Sequence, residues 1–129
     1  MFSQLLVDQI TGEELMDINI EQVGGIHLVA MSGRFDTTSA TAAQELILPL
    51  ASNGSKILLD MTDVTYMSSA GLRILLMLYR TITEHVGDIV LAGMSEELID
   101  VMAITGFLEF FTTAETRELG LAALNKLKQ

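Results

Sequence analysis

The sequence predicts an α/β domain with a mixed central sheet of about four to five strands and about four helices. Near the N-terminus, two short apolar segments flank a Gly-Gly pair, which is the pattern of a β-hairpin. Further along, short apolar runs alternate with segments of helical periodicity, as in sheets whose strands are joined by right-handed crossovers. The run Ile57-Leu58-Leu59 is too continuously apolar for a strand with one solvent-exposed face, so we expect it to be an interior strand of the sheet.

The composition indicates a folded domain and excludes several classes of protein. At 129 residues, of which 50% are hydrophobic, the chain is long enough for one domain with its own core. It contains no cysteine, which excludes disulfides and thiol chemistry. No run approaches the about 20 apolar residues of a membrane span, and the first residues do not resemble a signal peptide. We therefore expect a cytoplasmic protein without a membrane span.

The charge of the chain is strongly asymmetric. Seven basic residues against seventeen acidic ones give a formal net charge of −10 at pH 7. A surface of this sign repels nucleic-acid phosphates and anionic lipids, so neither is an expected partner. A partner protein that carries a basic patch is more compatible with this charge.

The first elements are a hairpin and a helix. Residues 1–14 are predicted to be an N-terminal extension of a domain that spans residues 15–129. We place strands over Leu15–Val23 and Ile26–Met31, on either side of the glycine turn. Because Thr41-x-x-Gln44 has the form of a capping box, a helix is predicted over Ala42–Leu50.

The buried strand, over Ile57–Met61, leads through two serines to a second helix. This helix is predicted to begin within two residues of Ser69 and to end near Glu84. Its apolar residues spread over roughly 200° of arc, whereas packing on one sheet face needs about 100°. The excess is either covered by neighbouring helices or forms a partner surface that begins beside Ser69.

The remaining elements are predicted to be a strand, a helix, a strand and a helix. The first strand spans Ile89–Ala92, and Ser95 caps a helix that runs to Ile104. Phe107–Phe111 is predicted to be the last strand. A capping box at Thr112-x-x-Glu115 would open the terminal helix, whose leucines are expected to pack in the core rather than form a dimer seam.

The sequence offers little for catalysis or metal binding. It supplies no cysteine and only two histidines, so no metal-ligand cluster is predicted. Both common glycine-rich phosphate loops are absent. The nucleophile pattern Gly-x-Ser-x-Gly is incomplete, because Ser68-Ser69-Ala70-Gly71 has a glycine on one side only. We therefore predict no catalytic residue, no metal and no cofactor.

Ser68 and Ser69 stand where the strand passes into the helix. The first N–H groups of a helix have no partner within it, and the helix dipole makes that end mildly positive. A serine hydroxyl can accept hydrogen bonds there, and we expect Ser69 to be such a cap position. A phosphate group can also bind at this end of a helix, although serine caps are the commoner case. Local chemistry therefore leaves both a simple capping serine and a phosphate-bearing serine open.

The segment from Asp60 to Leu72, Asp-Met-Thr-Asp-Val-Thr-Tyr-Met-Ser-Ser-Ala-Gly-Leu, resembles the signature of the STAS domain, the family of bacterial anti-sigma-factor antagonists. Gly33-Arg34-Phe35-Asp36 is similar to that family's first signature loop. The order of elements matches from about residue 15 to the end. The resemblance implies that the unphosphorylated protein binds an anti-sigma factor and frees the sigma factor.

The resemblance also implies a switch. The partner is a serine protein kinase as well as an anti-sigma factor, and it phosphorylates the serine two places before the glycine, which here is Ser69. The phosphorylated form releases the anti-sigma factor, and a phosphatase would restore the unphosphorylated form that binds it. The best-known members have aspartate immediately before that serine, where this chain has Ser68, so Ser68 is the second candidate for the phosphate.

The expected partner-binding surface surrounds these serines. Asp36 and Asp60 are expected at one edge of the sheet, where they would repel a phosphate. The chain is expected to be a monomer or a weak dimer. The alternative is a STAS-like protein-binding or nucleotide-binding regulatory module that is not switched at Ser69. The predicted surface consists of Gly33, Asp36, Ser68, Ser69, Gly71, Leu72, Arg73 and Leu76.

Overall fold

The computed structural model describes residues 16–126, and these form a five-stranded mixed sheet flanked by four helices. The strand order is β1-β2-β3-β4-β5. β1 runs antiparallel to β2, and every later pair of neighbours is parallel. The predicted α/β class and the mixed sheet are therefore confirmed. The predicted extension, residues 1–14, lies outside the described residues, so the domain boundary stays a prediction.

The N-terminal hairpin forms as predicted. Gly24 and Gly25, the two turn residues, have φ angles of 57° and 84°, which suit a tight turn between twisted strands. The five strands are β1 (Asp17–Val23), β2 (Ile26–Phe35), β3 (Lys56–Met67), β4 (Asp88–Ala92) and β5 (Thr112–Ala114).

The central strand is longer than predicted. β3 continues past Met61 to Met67, immediately before the two serines. The extension pairs with the end of β2 through two irregularities in register, one between Ala30 and Ser32 and one between Gly33 and Arg34. Gly33 has a φ of 100°, which favours glycine. The irregular pairing keeps Val64 and Met67 buried although their neighbours are polar.

The helices are α1 (Thr37–Ile47), α2 (Ser69–Glu84), α3 (Glu96–Ile104) and α4 (Arg117–Lys126). The predicted start and end of α2 and the Ser95 cap of α3 are confirmed. Short 3-10 turns follow α1, over Leu48–Leu50, and α3, over Phe107–Phe110.

The predicted start of α1 is wrong. The helix begins at Thr37 rather than Ala42, because Asp36 and Ser39 form the capping box. Asp36 Oδ1 accepts from the backbone N–H of Thr38 at 3.1 Å, and the N–H of Asp36 donates to Ser39 Oγ at 3.0 Å. The Thr41 pattern thus lies inside the helix.

The prediction that Phe107–Phe111 is a strand is also wrong. This segment makes a 3-10 turn after Gly106, whose φ is 82°. Its aromatic rings pack on α2: the centroids of Phe110 and Phe111 lie 5.7 and 5.4 Å from that of Tyr79. The last strand therefore begins at Thr112, which removes the second predicted capping box.

The sheet buries apolar residues on both faces. Alternate residues of β3, Ile57 and Leu59, pack in a core shared with α1, α2 and α3. Leu58 faces the opposite way and packs with Leu124 of α4, which confirms a core role for that leucine. Gly120 lets α4 approach the sheet, since a Cβ there would lie 2.6 Å from Leu58 Cδ1. Among the described residues, no helix is long and apolar enough to cross a membrane.

Val86 carries a strained backbone at the end of α2. Gly87 N–H donates to Ile82 O and Val86 N–H to Thr83 O, which is a Schellman motif with Val86 in the left-handed position. Glycine is favoured at that position, but here the glycine comes one residue later, where a Cβ would lie 2.6 Å from Ser55 O. Val86 is 81% exposed and has a φ of 60°.

Val86→Asn is expected to raise the free energy of unfolding by about 1 kcal/mol. Asparagine tolerates the left-handed conformation better than a β-branched residue, and little packing is lost at an exposed site. Urea denaturation measures the change. Val23→Asn, at an exposed position in ordinary strand conformation, is the matched control and should not stabilise the protein. A less stable Val86→Asn would contradict the account of strain.

Candidate functional site

The two serines lie at the joint between β3 and α2, against the end of β2. Ser68 N–H donates to Phe35 O at 2.9 Å, which ties the joint to the neighbouring strand. Ser68 is the N-cap of α2, and Ser69 is the first residue of the helix. The segment Gly33–Asp36, in which Gly33–Phe35 is the end of β2 and Asp36 caps α1, therefore lies beside the serines, because the pairing of Phe35 with Met67 places the ends of the two strands side by side.

The structure assigns different roles to the two hydroxyls. Ser68 is half-buried, and its Oγ accepts from the N–H groups of Ala70 at 3.2 Å and Gly71 at 3.4 Å. Ser69 is exposed, and its side chain makes no hydrogen bond with any residue in the described range. The expectation that Ser69 is the cap is therefore wrong by one residue. The capping serine is Ser68.

Gly71 allows α2 to pack tightly on β2. A Cβ at this position would lie 2.6 Å from Phe35 O and 3.0 Å from the Phe35 ring. Gly71 is buried, and the next residue, Leu72, is 6% exposed. Gly71 thus positions the first turn of the helix, while the serines before it stay accessible.

Four of the predicted surface residues come together beside the helix. A cavity of about 270 Å³, which we call the Ser69 cavity, opens between α2 and the turn after α3. A second cavity of about 300 Å³ continues along α2 and shares Arg73 and Leu76 with the first. The Ser69 cavity is lined by Ser69, Leu72, Arg73, Leu76, Thr105 and Phe107.

The wide apolar arc of α2 is covered in one part by neighbouring elements and open in another. Tyr79 is covered by the rings of Phe110 and Phe111, at the end of the 3-10 turn after α3. Leu76 and Met77 are only half-buried and line the open cavities. Arg73 and Arg80 stand exposed along the same face. Neighbouring helices therefore cover only part of the arc within residues 16–126, and whether the open part is a partner surface stays a prediction.

A second group of predicted residues lies at the strand ends rather than in the cavity. Asp36 caps α1, and its Oδ2 lies 3.4 Å from Arg34 Nε. The Arg34 guanidinium also stacks on the Tyr66 ring, 4.3 Å from the centroid. This pair was not predicted from the sequence. Arg34 and Tyr66 are directly paired across β2 and β3, and because only the irregular register of these strands creates the pairing, it has no local signal in the sequence.

Asp60 is neutralised rather than left as a free charge. Its carboxylate accepts from Arg117 Nε at 2.8 Å and from the Thr62 hydroxyl at 2.6 Å. Burial raises the pKa of Asp60, but the hydrogen bonds from Thr62 and the Arg117 guanidinium outweigh it, so the pKa lies below its ordinary value. The expected repulsion from this carboxylate is therefore offset within the domain. The pair ties α4 to the centre of the sheet.

Asp60→Asn is expected to lower the free energy of unfolding at pH 7 by about 1–2 kcal/mol, because it removes a charge-assisted hydrogen bond. The lowered pKa means that the unfolded chain binds more protons near pH 4. The contribution is therefore present above about pH 5 and is lost as the pH falls through the folded-state pKa.

Urea denaturation between pH 3 and 7 measures this dependence. Asp63→Asn, which removes an exposed carboxylate from the same strand, is the matched control. The acid-induced loss should be smaller in Asp60→Asn than in the control. Equal slopes in the two variants would show that the pair does not carry the pH dependence.

The described residues contain no cluster of three or more histidine, cysteine or acidic side chains arranged to hold a metal ion. His27 Nδ1 lies 3.3 Å from Gln22 Nε2 on the exposed hairpin. His85 Nδ1 lies 2.8 Å from Thr81 O at the far end of α2. Each histidine thus has an ordinary surface partner.

Comparison with known proteins identifies the family. A model of the STAS domain matches residues 17–119, which is most of the chain and includes β1 to the start of α4. The chain belongs to the STAS domain family. This confirms the resemblance seen in the Asp60–Leu72 segment.

Proteins similar to this STAS domain are named as anti-sigma-factor antagonists. The chain is 28% identical over 109 residues to the protein named "Putative anti-sigma factor antagonist BtrV" of Bordetella bronchiseptica, covering 84% of this chain and 94% of that one. It is 27% identical over 106 residues to the anti-sigma-B factor antagonist of Bacillus subtilis, covering 82% and 97%. The fold matches an anti-sigma-factor antagonist (STAS) domain protein from Planctomyces limnophilus with a TM-score of 0.77, at 18% identity, covering 84% and 97%.

Proposed function

We propose that this STAS domain is an anti-sigma-factor antagonist controlled by phosphorylation of Ser69. In the unphosphorylated form it binds an anti-sigma factor that is also a serine kinase, and the sigma factor is released. Phosphorylation ends the binding, and a phosphatase reverses it. The names of the relatives support the role of anti-sigma-factor antagonist. Almost the whole length of each of these relatives aligns with this chain.

The observation that carries the choice of serine is the difference between the two hydroxyls. Ser69 is exposed and its Oγ has no hydrogen-bond partner among residues 16–126, whereas Ser68 Oγ accepts hydrogen bonds from two backbone N–H groups. In the transfer, Ser69 Oγ bonds to the γ-phosphorus of ATP, the bond to the leaving ADP breaks, and a base of the kinase takes the hydroxyl proton. A free hydroxyl can be aligned for this step without breaking the helix cap.

The Ser68 departure from the family pattern has a physical interpretation. Serine and aspartate are comparably good N-caps, because both accept hydrogen bonds from the first N–H groups of a helix. Ser68 makes those bonds to Ala70 and Gly71. It can therefore replace the aspartate as a cap while Ser69 keeps its spacing to Gly71.

A phosphate on Ser69 should weaken partner binding without unfolding the domain. It adds about −1.5 to −2 charge at the mildly positive end of α2, where the helix dipole stabilises it. The same phosphate stands at the edge of the Ser69 cavity. A partner that packs on Leu72 and Leu76 would have to desolvate it, and a loss of about 3 kcal/mol corresponds to more than a hundredfold in affinity.

The experiment that tests this proposal incubates the purified protein with the serine kinases of its own bacterium and ATP, then maps phosphate by mass spectrometry. We expect phosphate on Ser69 in the unaltered chain and in Ser68→Ala, and none in Ser69→Ala. Phosphate on Ser68 alone would show that the phosphorylated residue of the switch is Ser68 and not Ser69. Phosphate on neither serine, with a kinase that binds the protein, would favour the module that is not switched at this site.

A further inference from the structure

Arg73 lies one helical turn after Ser69 on the same exposed face of α2. Residues at this spacing have Cβ atoms about 5–6 Å apart and can form ion pairs. Both side chains line the Ser69 cavity. A charged group added to Ser69 would therefore face Arg73 directly across the cavity mouth.

Arg73 is also a cation without a partner. It is exposed, and it forms neither an ion pair nor a side-chain hydrogen bond with any residue between 16 and 126. Three other basic side chains in that range are engaged, whereas Arg80 and Lys126 are exposed and, like Arg73, have no ion pair there. Arg34 pairs with Asp36, Arg117 pairs with Asp60, and Lys56 Nζ donates to Leu124 O at 2.9 Å. Within residues 16–126, Arg73 is thus an uncommitted positive charge beside Ser69, in a chain of net charge −10.

We propose that Arg73 is the intramolecular counter-ion of phosphorylated Ser69. This inference rests on the proposed function for the occurrence of the modification. The guanidinium donates to the phosphate oxygens within the helix, and a guanidinium matches phosphate geometry well. The ion pair then lies across the Ser69 cavity, over Leu72 and Leu76. The phosphate thus covers the apolar surface of Leu72 and Leu76 through this ion pair, in addition to placing a negative charge beside that surface.

The other nearby cations are less suited to this role. Arg80 lies on the same face but about 16 Å from Ser69 along the helix axis, at about 1.5 Å per residue. Arg34 is held between Asp36 and the Tyr66 ring. Arg73 alone among these three is both unpaired and within one turn of Ser69.

The test uses full-length protein with phosphoserine encoded at position 69, so that no kinase is required. ³¹P NMR follows the second ionisation of the phosphate, which is near pH 6 for free phosphoserine. A neighbouring guanidinium stabilises the dianion and lowers that pKa. Arg73→Gln should raise it by a few tenths, as expected for a helical ion pair at this spacing. Arg80→Gln is the matched control and should leave the titration unchanged.

Circular dichroism first establishes that both variants fold, which is expected because both arginines are exposed. A phosphate pKa raised only in Arg73→Gln supports the pair. Identical titrations in the unaltered chain and in both variants would overturn it. This outcome is separate from the proposed function: a kinase that ignores Ser69 leaves the measured pair intact, and an absent pair leaves phosphorylation by the kinase intact.

Discussion

Ser69→Glu is expected to bind the anti-sigma factor at least a hundredfold more weakly than the unaltered chain, whereas Ser69→Ala should bind with nearly unchanged affinity. Ser69 is exposed and is not the cap, so neither change removes a hydrogen bond seen within residues 16–126. The glutamate places a charge at the edge of the Ser69 cavity, which the partner would have to desolvate. Isothermal titration calorimetry at constant ionic strength measures both affinities.

The control for this prediction adds the same charge at the opposite end of the same helix. Thr83 is exposed near the C-terminus of α2, about 21 Å from Ser69 along the axis at about 1.5 Å per residue. Thr83→Glu should lower the affinity far less than Ser69→Glu. Similar losses at the two positions would indicate a general charge effect. Equal affinities for Ser69→Ala and Ser69→Glu would count against a switch at this site.

Gly71→Ala is expected to lower the free energy of unfolding by about 2–3 kcal/mol. Alanine is the better helix former by about 1 kcal/mol, so propensity alone predicts the opposite sign. The added Cβ would lie 2.6 Å from Phe35 O, a backbone atom that already accepts from Ser68 N–H. Because the strand cannot yield easily, the first turn of α2 must move, which costs more than the gain in propensity. Urea denaturation measures the change.

Gly120→Ala in α4 is the matched control. There the added Cβ would also lie 2.6 Å from its neighbour, but that neighbour is Leu58 Cδ1, the end of a flexible side chain. A rotation of Leu58 can relieve the contact, so the destabilisation should be clearly smaller. If Gly71→Ala is as stable as the unaltered chain, the close approach of α2 to β2 does not constrain the site as we describe.

Elements fixed by local chemistry were predictable from the sequence. The Gly24-Gly25 turn forces positive φ angles, and the Ser95 cap satisfies the first N–H groups of α3. The extent of α2 follows from a long apolar run after a serine pair. These signals act within a few residues, so they do not depend on contacts with distant parts of the chain.

Elements that depend on distant contacts were not predictable. Two possible capping boxes compete in the segment after β2, and the box that forms is the one beside the strand end. Phe107–Phe111 looks like a strand, but Tyr79 in α2 anchors its rings. The extension of β3 requires the irregular pairing with β2.

The same limit applies at the site. The sequence located the serine pair, but the choice of cap depends on a difference of one residue in where the helix begins. The Asp60–Arg117 pair joins residues far apart in the chain and gives no local signal. Arg73 was predicted as a surface residue, and the structure adds that it is unpaired within the described range and shares a cavity with Ser69.

The most direct test of the central claim is a competition measurement with the phosphorylated protein itself. A fluorescent sigma factor bound to its anti-sigma factor is titrated with unmodified protein or with protein that carries phosphoserine at position 69, and anisotropy reports release. We predict that unmodified protein releases the sigma factor and that the phosphorylated protein needs more than a hundredfold higher concentration, which corresponds to about 3 kcal/mol. Release at the same concentration by both forms would contradict the account.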